Sequence, residues 1–382
     1  MDKMQERIKL IQDTVAFKKT SRIPTFSNYW TYMIFDAGHK LGEALYDYDL
    51  LYDIIIKFHL KYEFDSYIYK GARNPMRVSD AVEGNRYLID DEMGSLSYVD
   101  YPLMQEDEYP QLIEDPRKFY WSVLLPRKNK ALREPGAFDA FAKSFAELEV
   151  YNAFVARVDK TYTEEFEIPQ RNAAMVPIPL ETLFNYIRGI KATAIDIRRR
   201  PEQVDAACEA IAKYANVQAA YERLAQPIPP NYIFGGHVGM LSHSILNPKQ
   251  FGKFFWPTIK NVYDECEKQG KPMMLFSEAQ CTTFTDYFQD FKKGVVVIQP
   301  EQDDVFELRR RLPGVAIAGG LKSSILGVYS AQACVDYAKK LVNEVGADGG
   351  LIMNTDKMMS YANDAKSENI LAVQEFCRSY TG

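Results

Sequence analysis

No run of about eighteen consecutive apolar residues occurs in the 382-residue chain, which excludes a membrane-spanning helix. The segment "MDKMQERIKLIQDTVAFKKT" is charged and helix-like where a secretory leader needs an apolar core, so a cytoplasmic protein is expected. The five cysteines (Cys208, Cys266, Cys281, Cys334, Cys377) are scattered and form no CxxC pair, a pattern of reduced thiols rather than of a disulfide framework. Basic excess is missing as well. With 46 Lys and Arg against 52 Asp and Glu, the net charge of −6 gives no electrostatic footprint for nucleic acid. No GxGxxG follows a strand, no phosphate-binding P-loop occurs, and no HExxH marks a zinc helix. What the chain has in quantity is aromatic: 25 Tyr and 22 Phe, many of them before residue 110. Large rings fill cores, and they also form walls for flat apolar ligands. Tyr29, Trp30 and Tyr69 are the candidates for such a wall.

The second half alternates between strand and helix patterns. "NYIFGGHV", "PMMLFSE", "GVVVIQ", "VAIAGGL" and "GLIMNT" are short and continuously apolar, as strands of a parallel sheet buried on both faces are. Helical stretches separate them, one starting at Pro248 with Asn247 as N-cap and Gly270 at its stop, another around "TTFTDYFQDFKK". Five such units imply right-handed βαβ crossovers, in an open doubly wound sheet or a closed barrel. The first half adds "IPTFSNYW", "FDSYIY" and "AAMVPI", which makes eight strands. The expected fold is therefore α/β: a (β/α)8 TIM barrel over residues 1–382 as one domain, with an N-terminal helical extension. Asn85–Met104 reads as a β-hairpin insertion with turn signals at Asp90–Asp91 and Gly94.

Such barrels present reactive groups at the C-terminal ends of their strands. Here those ends offer His237 and His243 after the glycines, Glu278 after "MMLFS", Gln299, Lys322 with Ser323, Asp356, and Glu181 past "AAMVPIPL". Asp356 and Gln299 can equally serve as loop or capping residues. His237 can be a structural histidine or a ligand. Gly319 and Gly320 permit tight packing or an anion on their backbone amides. Glu278 is harder to account for, because a carboxylate closing an apolar strand needs a cation, a metal, a donor or a raised pKa. Imidazoles and carboxylates converging on one mouth suit either a Lewis-acid metal or metal-free acid–base chemistry.

The stretches "YIRGIKATAIDIRRRPEQV", "LNPKQFGKFFWPTIKNV", "LFSEAQ", "IAGGLKSSIL" and "DAKSENILAVQEF" together resemble the uroporphyrinogen decarboxylase superfamily, whose members fold as one (β/α)8 barrel. The true decarboxylases of that superfamily carry an arginine-rich loop after the first strand and an aspartate after the second. This chain has "NYWTYMIFDAG" without arginine, and "DSYIYKGAR" with Tyr69 about where the acid would lie. The coenzyme M methyltransferases place a His-x-Cys zinc pair at the fifth strand's end, where this chain has Phe276 and Glu278. "FFWP" and "SEA" are similar to a third subgroup, the methyltransferase components of O-demethylases. That resemblance implies methyl transfer from a small methylated donor, a methoxylated aromatic, to the Co(I) corrinoid of a partner protein. It also implies zinc activation of the leaving group. Glu278 and His237 would be catalytic, and zinc ligands would come from His237, His243, Glu278 and Asp356, with the two histidines competing for one position. Tyr29, Trp30, Tyr69, Glu181 and Gln299 would meet substrate. The alternatives are a metal-free decarboxylase or lyase using Arg73 or Arg188 as a clamp, and a non-catalytic corrinoid- or tetrapyrrole-binding protein. Arg188 is expected to pair structurally near Glu181 or Asp196. A homodimer is left open.

Overall fold

In the computed structural model, which describes residues 2–380, the apolar runs become strands in the order the sequence suggests. They are β1 (Phe26–Ser27), β2 (Ser66–Tyr67), β3 (Tyr87–Asp90), β4 (Ser95–Tyr98), β5 (Gln170–Met175), β6 (Tyr232–Met240), β7 (Met273–Ser277), β8 (Val296–Pro300), β9 (Ala316–Ala318) and β10 (Leu351–Ile352). β5 to β10 form one parallel sheet in sequential order, and β1 pairs with β2. Thr25 bridges Met353 just past β10, with the Phe26 amide donating to the Met353 carbonyl at 3.0 Å. Eight parallel strands therefore run β2-β1-β10-β9-β8-β7-β6-β5. At the remaining seam side chains span the gap: the Tyr67 hydroxyl donates to Gln170 Oε1 at 3.0 Å, and the Arg171 guanidinium to the Ile68 carbonyl at 3.0 Å. This is the (β/α)8 barrel, with one seam held by side chains.

The barrel interior is filled by Phe26, Ile68, Phe234, Met274, Val297, Ala316 and Ile352. The N-terminal helical extension, Lys3–Val15, packs Ile8, Ile11 and Val15 against these side chains. The Gly350 amide, at the start of β10, donates to the Thr14 carbonyl at 3.0 Å. The helix thus closes the N-terminal end of the barrel and leaves the opposite end for chemistry. A second, larger apolar layer lies between the strands and the surrounding helices.

Local sequence signals explain the placement of most elements. Asn247 and Gln250 form a reciprocal capping box at the helix Pro248–Phe254. That helix breaks at Phe255 and resumes as Trp256–Lys268, with Pro257 in its first turn, and it stops at Gly270, whose φ is +65°. β3 and β4 pair antiparallel with Tyr87 opposite Tyr98, and Gly94 turns the chain at φ +60°. The expected helix around "TTFTDYFQDFKK" is instead a 3-10 stretch, Thr282–Phe288. Three β-branched threonines disfavour an α-helix there. Asp303 also holds the Cys281 and Thr282 amides at 2.9–3.0 Å, and Phe284 stacks on Phe251 at 4.3 Å.

Candidate functional site

β7 and β8 are in register with Phe276 beside Gln299 and Ser277 beside Pro300. The next residue on each strand is a glutamate. Glu278 and Glu301 therefore follow neighbouring barrel strands side by side, on the side of the strands that carries Phe276 and Gln299. The Glu301 amide donates to the Ser277 carbonyl at 3.0 Å, and the Gln302 side chain donates to the Glu278 carbonyl at 3.0 Å, which fixes both backbones. Both side chains are half-buried. Burial, reinforced by the Glu181 charge, pushes Glu278 up to about 7. Burial, reinforced by Glu278 and Asp356, pushes Glu301 up to about 7, against an amide bond from Met358 at 3.0 Å. Burial is the main cause of both shifts, so each carboxyl holds its proton closer to neutral pH than an exposed glutamate does.

A cavity of about 870 Å³ opens nearby, lined among others by Trp30, Tyr69, Tyr151, Tyr186, Arg171 and Met358; neither glutamate is part of its wall, and Tyr69 and Met358 stand between them and it. Tyr69 connects the two: burial pushes its phenol up to about 12, Arg171 opposes this, and Glu278 and Glu301 add to it. Arg171 is half-buried and, among the described residues, bonds Asn172 Oδ1 and the Ile68 carbonyl, both neutral. Deeper in the barrel His237 is 4% exposed, lies 6.4 Å from the Phe276 ring, and has an unpartnered Nδ1 among the described residues. Burial and the Arg171 charge lower its proton affinity, so the imidazole is neutral. Gln299 is fully buried with neither amide atom partnered among the described residues.

Several candidates stand elsewhere than expected. Tyr29 is 2% exposed and packs on Tyr32, Phe58 and Phe64 at 5.1–5.5 Å; it is core outside the barrel, not cavity wall. His243 is fully buried between Phe255 and Phe284, with Nε2 3.2 Å from both the Ala279 carbonyl and Ser277 Oγ. Glu181 accepts from the Leu241 amide, the Ser242 amide and the Ser242 hydroxyl at 2.7–3.0 Å, and from Asn185 at 2.9 Å. It tethers the loop after β6 rather than facing a ligand. Asp356 accepts the Ser323 amide at 2.9 Å, which also occupies the backbone donor that follows Gly319 and Gly320. Arg188 pairs with Asp196 at 2.7 Å, as expected.

Glu301 and Arg171 went unread in the sequence. The strand pattern "GVVVIQ" ends at Gln299, two residues short of Glu301, and the polar opening "QRN" of β5 hid a barrel strand that starts at Gln170. The cavity is also less purely aromatic than the sequence suggested, because Lys70, Arg73, Arg86 and Lys128 line it too.

The four expected zinc ligands do not form a set here. His243 is held through Nε2 between Phe255 and Phe284, away from His237, Asp356 accepts the Ser323 amide, and His237 lies under the positive field of Arg171. Among the described residues no three His, Cys, Asp or Glu side chains gather as a metal-binding group. A zinc site does not fit this arrangement.

Comparison with known proteins agrees with the fold. A methyltransferase from Methanosarcina mazei is similar over 98% of this chain and 97% of that one, with a TM-score of 0.58 and 11% identity. A protein described as uroporphyrinogen decarboxylase from Anaeromyxobacter sp. (strain Fw109-5) is 28% identical over 156 residues. That match covers 40% of this chain and spans less than half, 42%, of the relative. The family model described as uroporphyrinogen decarboxylase (URO-D) matches residues 179–380, more than half of the 382 residues. The chain belongs to the uroporphyrinogen decarboxylase (URO-D) family.

Proposed function

We propose that this chain is a methyltransferase that moves a methyl group from a small methylated donor, a methoxylated aromatic, to the Co(I) corrinoid of a partner protein. The observation that carries this reading is that Glu278 and Glu301 follow in-register strand ends at the barrel mouth, near Tyr69, which lines a cavity with Trp30 and further tyrosines. An aryl methyl ether resists cleavage because its oxygen leaves as a phenolate. A carboxyl group that keeps its proton near neutral pH removes that difficulty. The methyl–oxygen bond breaks, its electron pair stays on the oxygen, and the proton passes from the glutamate pair to that oxygen. The methyl carbon goes to the acceptor, so the chain needs no nucleophile of its own. The pair supplies the leaving-group activation that the resemblance had assigned to zinc. The fold likeness to a Methanosarcina mazei methyltransferase supports the same class.

The test is anaerobic transfer from a methoxybenzene series to cob(I)alamin. Glu278→Gln is expected to lower the rate about 100-fold or more. A parental rate in that variant would overturn the assignment. Activity is also expected to survive exhaustive dialysis against a chelator; loss that zinc alone restores would replace the carboxyl proton with a metal.

A second reading, metal-free decarboxylation of a carboxylated substrate, is favoured by one observation. Lys70, Arg73 and Arg171 all line the cavity, and Arg171 has no carboxylate partner in the structure described. It calls for carbon dioxide release that Arg171→Gln abolishes.

A further inference from the structure

A second cavity of about 360 Å³ adjoins the first and lies outside the strand ends. The two share Arg86, Tyr98, Lys128 and Tyr186. Its walls are apolar and aromatic, formed by side chains such as Leu112, Leu124, Ile211, Val217, Tyr120 and Tyr214. Its volume falls within the roughly 300–1,000 Å³ of small-molecule sites. Arg86 makes the junction unusual. It is 5% exposed, and its guanidinium donates to the Tyr98 hydroxyl at 2.9 Å and the Tyr101 carbonyl at 2.8 Å. Its Nε has no partner among the described residues. The guanidinium also lies over the rings of Tyr98 and Tyr101, at 5.6 and 3.9 Å from their centres, and no carboxylate is among the groups acting on it. Lys128 stands at the exposed rim of the same junction and makes no ion pair or hydrogen bond among the described residues. A buried cation without an anion is costly unless something supplies the missing charge.

We propose that this annex is a binding site for an arylalkyl monocarboxylate, with its ring among the apolar walls and its carboxylate on Arg86 and Lys128. Two cations at one end of an apolar chamber select one negative charge and reject a uniformly polar ligand. The tyrosine rings favour a flat body over a bulky one. The annex shares Arg86, Tyr98, Lys128 and Tyr186 with the first cavity, but its readout is binding and none of its residues belongs to the glutamate pair, so the two readings fail separately.

Calorimetric titration of the full chain with 4-phenylbutyrate and with its neutral analogue 4-phenylbutyramide tests this. The carboxylate is expected to bind, and the amide to bind at least about tenfold more weakly, as loss of a charge-assisted contact implies. Lys128→Met, at an exposed position that folding tolerates, is expected to weaken the carboxylate about tenfold and leave the amide unchanged. Arg86→Gln is expected to do the same or more. Benzoate, too short to span junction and annex, is expected to bind more weakly than phenylbutyrate. Equal affinity for acid and amide, unchanged affinity in Lys128→Met, or no binding of phenylbutyrate would overturn the proposal.

Discussion

Glu278 is an acid at the end of an otherwise apolar strand, and its neighbourhood determines what that acid can do. No cation pairs with it among the described residues, so burial raises its proton affinity instead of a salt bridge lowering it. The linkage follows from the sign of the shift. Folded Glu278 titrates at about 7, above the ordinary glutamate value of about 4.3, so the native state holds a proton that the unfolded chain releases earlier. That stabilisation is complete below about pH 4.3 and is lost as pH rises through 7. Urea unfolding from pH 5 to pH 8 is therefore expected to show stability falling. Glu278→Gln should flatten that dependence by on the order of 1 kcal/mol, after allowance for partial solvent exposure. Identical pH dependence in parent and variant would mean Glu278 ionises normally. The two histidines show the limit of reading residues singly. His237 and His243 are both buried, and only the Ser277 hydroxyl and Ala279 carbonyl on one of them distinguish a committed ring from a free one. No spacing in the sequence carries that difference.

At the scale of elements, β6 sets how close the outer helices come. A Cβ on Gly236 would lie 2.4 Å from Val262 and 3.2 Å from Cys266 Sγ, both on the helix Trp256–Lys268. The glycine is what lets that helix pack directly against the strand. Gly236→Ala is expected to cost about 1–3 kcal/mol by overpacking, read as a lower urea midpoint with unchanged slope. An unchanged midpoint would mean the helix can back away freely. Elements with strong local signals were legible: the capped helix at Pro248, the hairpin turn at Gly94, and the apolar strands β7 and β8. Elements shaped by distant partners were not. The 3-10 stretch Thr282–Phe288 depends on Asp303 and Phe251, and the polar start of β5 depends on closing the seam to β2.

For the whole molecule, the strand count predicted the barrel, but not how it is closed. Eight apolar runs indicate eight strands; they do not reveal that one seam is held by Tyr67, Gln170 and Arg171. Nor did the charged N-terminal sequence reveal that its apolar stripe seals the barrel floor. Ile11 is fully buried against the interior side chains. Ile11→Ala is expected to destabilise the fold by about 2–5 kcal/mol while leaving the distant mouth intact, so that rates per folded molecule stay near parental. Loss of activity out of proportion to unfolding would tie the floor to the site.

On the proposed function, methyl transfer depends on a proton donated by a glutamate at the barrel mouth. The most direct test is the pH–rate profile of transfer from a methoxybenzene to cob(I)alamin. The rate should fall as pH rises through about 7, where Glu278 loses its proton, and this decline should vanish in Glu278→Gln together with most of the rate. A rate flat across pH 7, or a decline that persists in the variant, would contradict it.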